Sequence, residues 1–128
     1  IEDEYWKKFM INVGVNQLCA LTGLSLKAIR NNDKLKMQLK DLIKEVEIIA
    51  EAEGINNHRK IYNEALHFLL EELEDANPSM LQEIKEKRET EIEIFAGEII
   101  KLGQKHNIPT PLNKEIYNKI KQLEQKNN

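Results

Sequence analysis

The sequence predicts an all-α domain. Glycine and proline are sparse, at five and three among 128 residues. Apolar residues recur at three- and four-residue intervals along most of the chain, and no stretch alternates with period two for long enough to make a strand. A composition of 41% hydrophobic and 32% charged residues fits a packed helical protein rather than a disordered one. One domain with one sizeable core is the expectation at this length. No internal repeat is present.

From Tyr5 to Leu21 the chain is apolar almost all the way round, the pattern of a helix buried on most of its faces. It ends at Thr22-Gly23, where glycine serves as a C-terminal cap, and a short polar-capped turn of helix follows from Ser25 to Arg30. Asp33 starts a long helix carrying Leu35, Leu39, Leu42, Ile43, Val46, Ile49 and Ala50 on one stripe, ending at Gly54. Ile61, Ala65, Leu66, Phe68, Leu69 and Leu73 mark the next helix. An acidic connection through Asn77-Pro78 follows it, with Pro78 suited to the first position of a short helix from Ser79 to about Glu86. Thr90 with Glu93 reads as a capping box opening a helix with Ile92, Phe95, Ile99, Ile100 and Leu102. That helix breaks near His106-Asn107. Pro109-Thr110-Pro111 then opens the last helix, around Ile116, Ile120 and Leu123, and Gln125 to Asn128 reads as a polar tail.

The charge balance excludes some functions. A net charge of −3, with Lys and Arg scattered among Asp and Glu, offers no basic stripe for phosphates, so nucleic-acid binding is not expected. No apolar run reaches the roughly 18 to 20 residues that span a bilayer, and no signal peptide precedes the first helix, so a cytoplasmic location is expected. The lone Cys19 can form neither an internal disulfide nor a zinc cluster, which fits a reducing compartment. The chain begins at Ile1 without an initiator methionine, and a fragment or processed product is the expectation.

Lys8, Asn12 and Asn16 stand four apart, so at about 100° per residue they fall within roughly 80° of arc on one helix face. Apolar neighbours cover the other faces, so the two amides point into partly desolvated space, where an amide without hydrogen bonds costs on the order of 1 to 3 kcal/mol. One reading is a cleft with an ammonium donor and two amides, suited to an oxygen-rich small anion. The other is a snorkelling lysine above asparagines that bridge neighbouring helix ends. Spacing alone leaves both open.

Ser79 reads in itself as a helix-start hydroxyl, Glu91 as a carboxylate favoured by the adjacent helix start, and Glu83 as a surface residue. Glu64-x-x-His67 has the spacing used in di-metal helix bundles, but it occurs once and turns away from the apolar side of its helix, so no metal site is expected. His58 and His106 are expected to face solvent. No Ser-His-Asp or Cys-His set emerges.

Two strings are specific as strings. They are Trp6-Lys7-Lys8-Phe9-Met10-Ile11-Asn12-Val13-Gly14-Val15-Asn16, and Pro78-Ser79-Met80-Leu81-Gln82-Glu83 continuing to Arg88-Glu89-Thr90-Glu91-Ile92. Both resemble the ketopantoate reductase family, and the likeness continues through Gly97, the Pro109-Thr110-Pro111-Leu112-Asn113 turn and Tyr117. The resemblance implies a helical C-terminal domain, residues 1–128, of the kind that packs on a Rossmann domain in 6-phosphogluconate-dehydrogenase-like reductases. It implies NADPH and a 2-oxo acid held between the two domains, with ketopantoate (2-dehydropantoate) reduced to pantoate on the route to pantothenate and coenzyme A.

Carried over by resemblance, Lys8 is the catalytic lysine that supplies the proton to the ketone oxygen. Asn12, Asn16 and Ser79 bind substrate, and Glu91 is the glutamate near the lysine and the nicotinamide end of the cofactor. A lysine partly stripped of water, with a carboxylate nearby to keep it charged, would suit that role. Two positions depart from the family pattern: Glu83 stands where aspartate is frequent, and Leu26 where some members carry a substrate-contacting asparagine. The five glycines are too dispersed to cradle a phosphate, so the chain by itself is expected neither to bind NADPH well nor to be active. The alternatives are a helical interaction or homodimerisation module without the chemistry, and a family reductase acting on another 2-oxo acid.

Overall fold

A computed structural model describes residues 2–74, 79–87 and 90–127. Among them every regular element is helical: α1 (Glu2–Thr22), α2 (Leu26–Arg30), α3 (Asp33–Ala52), α4 (His58–His67), α5 (Ser79–Lys85), α6 (Glu98–His106) and α7 (Pro111–Asn127), with π-helical turns at Phe68–Glu72 and Glu93–Gly97. The helix at Ser79 agrees with the sequence reading, whereas Asn77-Pro78 and Arg88-Glu89 lie outside the described residues.

The domain is arranged around α1, onto which α3, α4, α5, α7 and the second π turn all pack. Met10, Val13, Leu18 and Cys19 are at most 1% exposed, as the all-round apolar pattern requires. The helix starts three residues before the first apolar position because Glu2, Asp3 and Glu4 occupy its first turn, where carboxylates complement the helix dipole. Close approach of α3 depends on Gly14: a Cβ there would lie 2.8 Å from Ile43 Cγ2 and 3.0 Å from Leu39 Cδ1. Gly23 ends α1 in the left-handed region at φ +73°, with its N–H on the Cys19 carbonyl.

Side chains cap the next two helices. Ser25 accepts the Ala28 N–H, and Asn32 accepts the Leu35 N–H ahead of Asp33. α4 begins at His58, one turn before the first apolar position. Beyond His67 the helix widens, so that the Leu73 N–H reaches back five residues to the Phe68 carbonyl. The carbonyls left over at this end are taken by Arg30, whose Nε donates to the Leu69 carbonyl at 2.7 Å and whose Nη2 donates to that of Leu73.

Three details differ from the sequence reading. The Thr90–Glu93 capping box does not close, because the Thr90 N–H and hydroxyl both donate to Glu124 Oε2 at 2.7 Å, while Glu93 turns to Tyr117 and Lys121. The single helix expected after Thr90 contains the Glu93–Gly97 π turn. Gln125 to Asn127 continue α7 rather than forming a tail, since the buried Glu124 holds that end of the helix against Thr90.

Candidate active site

Lys8, Asn12 and Asn16 form a row graded in burial: Lys8 is exposed, Asn12 half-buried, and Asn16 only 8% exposed. The row therefore runs from solvent into the body of the domain. Asn16 makes no hydrogen bond with a described residue, and its amide atoms keep contact with solvent rather than being sealed in the core. The helix-bridging role belongs instead to its neighbour Gln17, fully buried, which accepts the Ala96 N–H at 2.7 Å and donates to Asn113 Oδ1 at 3.2 Å. Sequence reasoning missed Gln17 because its partners lie 79 and 96 positions away.

Lys8 makes no ion pair with a described residue, so the expected pairing with Glu91 is not among its contacts. Nor is Lys8 stripped of water, since it is exposed among the described residues. Beside the row, Lys7 and Ile11 line a groove of 570 Å³ together with Asn63, Glu64, His67 and Phe68 of the α4 segment.

Ser79 opens α5, which packs on α1, so its backbone is delivered to the central helix; its side chain lies outside the described residues. Glu91 is half-buried, and its backbone is held at both ends. Its N–H donates to Glu83 Oε1 at 3.3 Å, and its carbonyl accepts from Ile94 and Phe95 at 3.0 and 3.3 Å. Glu83 thus tethers residue 91 instead of standing free on the surface. Leu26 is 1% exposed and belongs to the core, so this chain presents no side chain there to a ligand. Beside Glu91, hydrogen bonds from Tyr117 and Lys121 hold the Glu93 carboxyl below the usual carboxylate range.

The histidines are engaged away from the row. His67 pairs with Glu72 at 3.1 Å, while Glu64 pairs with Lys7 at 3.6 Å. Contrary to the expectation of solvent-facing rings, His58 Nδ1 donates to the Glu47 carboxylate at 2.8 Å and His106 meets Glu53 at 2.5 Å, both rings being only 23% exposed. Among the described residues no cluster of three His, Cys, Asp or Glu side chains could hold a metal ion. Likewise no helix there is long and apolar enough to cross a membrane.

Glu47 is 2% exposed, and it is surrounded by two cations, Lys44 at 2.7 Å and Arg59 at 3.0 Å, and by the His58 ring at 2.8 Å. Burial pushes its carboxyl up, but hydrogen bonds from Lys44 and His58 and the charges of Lys44 and Arg59 outweigh this and leave it below the usual 4.5. A depressed carboxyl stabilises the fold above its unfolded value, and that contribution disappears as pH falls through the folded value. Glu47→Gln is therefore expected to melt below the wild type near neutral pH. In thermal melts between about pH 7 and about pH 3, the gap is expected to close below the usual 4.5; a pH-independent gap would contradict this assignment.

The chain matches the ketopantoate reductase PanE/ApbA C-terminal family model over residues 1–124. The chain belongs to this family. Among the family's curated relatives, 2-dehydropantoate 2-reductase of Vibrio cholerae is 26% identical over 125 residues, covering 98% of this chain and 42% of the relative. The chain thus spans less than half the length of the relatives it matches. The same fold is found in a dimeric ketopantoate reductase from Staphylococcus aureus, with a TM-score of 0.88 and 24% identity over 100% of this chain and 45% of that one. It recurs in D-mandelate dehydrogenase, solved with NADH and anilino(oxo)acetate, at a TM-score of 0.87 and 22% identity, covering 99% of this chain and 42% of that one. The resemblance read from the two strings near Lys8 and Ser79 thus identified the family.

Proposed function

We propose that this chain is the substrate-binding half of an NADPH-dependent reductase that converts ketopantoate to pantoate, for pantothenate and coenzyme A synthesis in the cytoplasm. The observation that carries the reading is Asn16: a residue only 8% exposed, whose amide opens to solvent and makes no hydrogen bond to a described residue, in line with Lys8 and Asn12 on one face of α1. A polar group held in that state is matched to a ligand that supplies its partners.

NADPH would supply the hydride to the ketone carbon when bound, chiefly through a Rossmann domain outside this chain. The residues here divide the remaining work. Asn12 and Asn16 donate to the oxygens of the 2-oxo acid, and Ser79, carried to α1 by α5, completes the substrate contacts. Lys8 hands a proton from its ammonium to the ketone oxygen as the hydride arrives, which leaves a neutral amine and a 2-hydroxy acid. The neutral amine takes back a proton from water, and the Glu91 carboxylate, at the lysine and nicotinamide end, favours the charged lysine so restored. The tether of the Glu91 backbone N–H to Glu83 supports that role, because it fixes the segment that carries Glu91. Covering of the exposed end of the row by substrate, cofactor and the partner domain provides the desolvation that this chain alone does not.

An NADPH-oxidation assay of the intact protein tests this, with ketopantoate, other 2-oxo acids including benzoylformate, and NADH as the second nucleotide. Ketopantoate with NADPH is expected to give the highest kcat/KM. Preference for an aromatic 2-oxo acid with NADH would move the reading to the chemistry of D-mandelate dehydrogenase, and no turnover with any of them would refute it. Asn16→Ala is expected to raise KM about ten-fold or more with little change in melting temperature, because the amide it removes has no partner among the described residues to orphan. A large fall in melting temperature would instead mean that Asn16 is structural.

As for assembly, the S. aureus relative is described as dimeric. The large exposed apolar side chains here, Tyr5, Leu24, Met37, Ile48 and Ile94, are spread over α1, the link to α2, α3 and the second π turn. A homodimer built on this domain remains a proposal that sedimentation of the intact protein decides.

A further inference from the structure

Gln17 follows Asn16 on α1 and begins a chain of polar contacts through the core. Its Oε1 accepts the Ala96 N–H at 2.7 Å, and its Nε2 donates to Asn113 Oδ1 at 3.2 Å. Asn113 Nδ2 in turn donates to Glu45 Oε1 at 2.8 Å, and the Glu45 carboxylate also accepts the Leu112 and Asn113 N–H groups at 2.8 and 3.0 Å. Gln17 and Asn113 are 0% exposed and Glu45 8%. The direction of every bond is forced. A backbone N–H needs the glutamine oxygen, which leaves the glutamine NH₂ for the asparagine oxygen and the asparagine NH₂ for the carboxylate.

The Ala96 N–H is available because of the π turn. Gly97 N–H takes the Ile92 carbonyl at 2.9 Å and Phe95 N–H takes that of Glu91, so the amide between them has no partner within its own helix. The same turn closes on Glu91 through Ile94 and Phe95. Holding Ala96 therefore holds Glu91 one turn away, and the residue that does so is the neighbour of Asn16. A second tie runs parallel to it, with the Phe95 ring 6.3 Å from that of Phe9, next to Lys8.

We propose that Gln17, Asn113 and Glu45 form a positioning network that fixes the Glu91 segment in register with the Lys8, Asn12 and Asn16 row. Its kinetic consequence rests on the reductase reading; its structural consequence does not. An apolar side chain could fill the volume of Gln17, but it would leave α1 free to slide against the π turn. The directed bonds accept a single register.

The test compares Gln17→Met and Gln17→Glu with wild type in the intact protein, by backbone hydrogen exchange and by kcat and KM for ketopantoate. Gln17→Met removes both bonds at nearly constant volume. It is expected to speed exchange over residues 91–97 about ten-fold while the interior of α3 stays protected, and to lower kcat/KM about ten-fold or more. Gln17→Glu keeps the acceptor for Ala96, and burial near the Glu45 carboxylate favours the protonated acid, whose O–H replaces the amide donor to Asn113 Oδ1; it is expected to recover the protection and most of kcat. If Gln17→Met does not fold, Asn113→Ala removes the two links beyond Gln17 while leaving the Ala96 bond, and is read in the same way, with a change of about three-fold. Exchange that rises equally over α3 and α6 would show a general stabiliser and overturn the network. So would unchanged kcat/KM alongside faster exchange at 91–97, or no recovery with Gln17→Glu. A wild type inactive on every 2-oxo acid refutes the reductase reading, while the exchange profile still decides the network.

Discussion

Lys8→Ala in the intact protein is expected to lower kcat by a factor of about 10² to 10⁴, the usual contribution of a positioned general acid. The melting temperature is expected to stay within the scatter of a surface substitution, because Lys8 is exposed and makes no ion pair with a described residue. Steady-state kinetics with ketopantoate and a melt of the same preparation provide the two numbers. Near-normal turnover would remove Lys8 from the chemistry. A collapse in stability would show that its role is structural, which its position on the open end of the row argues against. Lys8→Arg separates charge from proton transfer: a guanidinium still attracts the substrate carboxylate but holds its proton too firmly to donate it, so KM is expected to recover while kcat does not.

The largest effect on stability is expected at Glu45. Its carboxylate takes three N–H donors at the start of α7, where helix N–H groups have no partner of their own. Glu45→Ala strands all three in a buried setting, and a loss of about 3 kcal/mol or more follows from typical penalties for unpaired buried donors. That corresponds to a melting midpoint lower by about 10 °C, measurable by differential scanning calorimetry. A drop of a degree or two would mean that water replaces the carboxylate freely, and that the start of α7 is less secluded than its burial indicates.

The helical class and the order of elements were legible because the signals are local. A cap, a glycine or a three-to-four spacing each acts within one turn. The row on α1 was legible for the same reason, as was the family, whose two strings lie within α1 and around α5. What was not legible depended on partners far along the chain. Asn16 and Gln17 are adjacent amides of nearly the same chemistry, and only contacts with Ala96 and Asn113 make one structural and leave the other open. Glu45 and Glu47 sit among ordinary charged positions of an amphipathic helix, yet both are buried, one under α7 and one under Lys44, His58 and Arg59. His58 and His106 were read as solvent-facing because a loop and a helix end usually are. The acidic α3 residues and their successor Glu53 draw both rings inward. The Thr90 cap failed in its details for a similar reason, since a carboxylate from α7 outcompeted the local Glu93. A π turn leaves hardly any trace in periodicity, because one extra residue within five looks like ordinary scatter.

That extra residue has a meaning for how the domain tolerates changes in length. A π turn is an α-helix with one residue inserted, and each residue turns a helix by about 100°. Loss of a single residue from Glu93–Gly97, such as the exposed Ile94, would let the segment close as ordinary α-helix and return the Ala96 N–H to its own backbone. The helix would become more regular, and Gln17 would lose its partner. Everything on the Glu91 side would then swing about a quarter turn away from α1. The irregularity is an insertion held in place by a distant amide, and repairing it would dismantle the site.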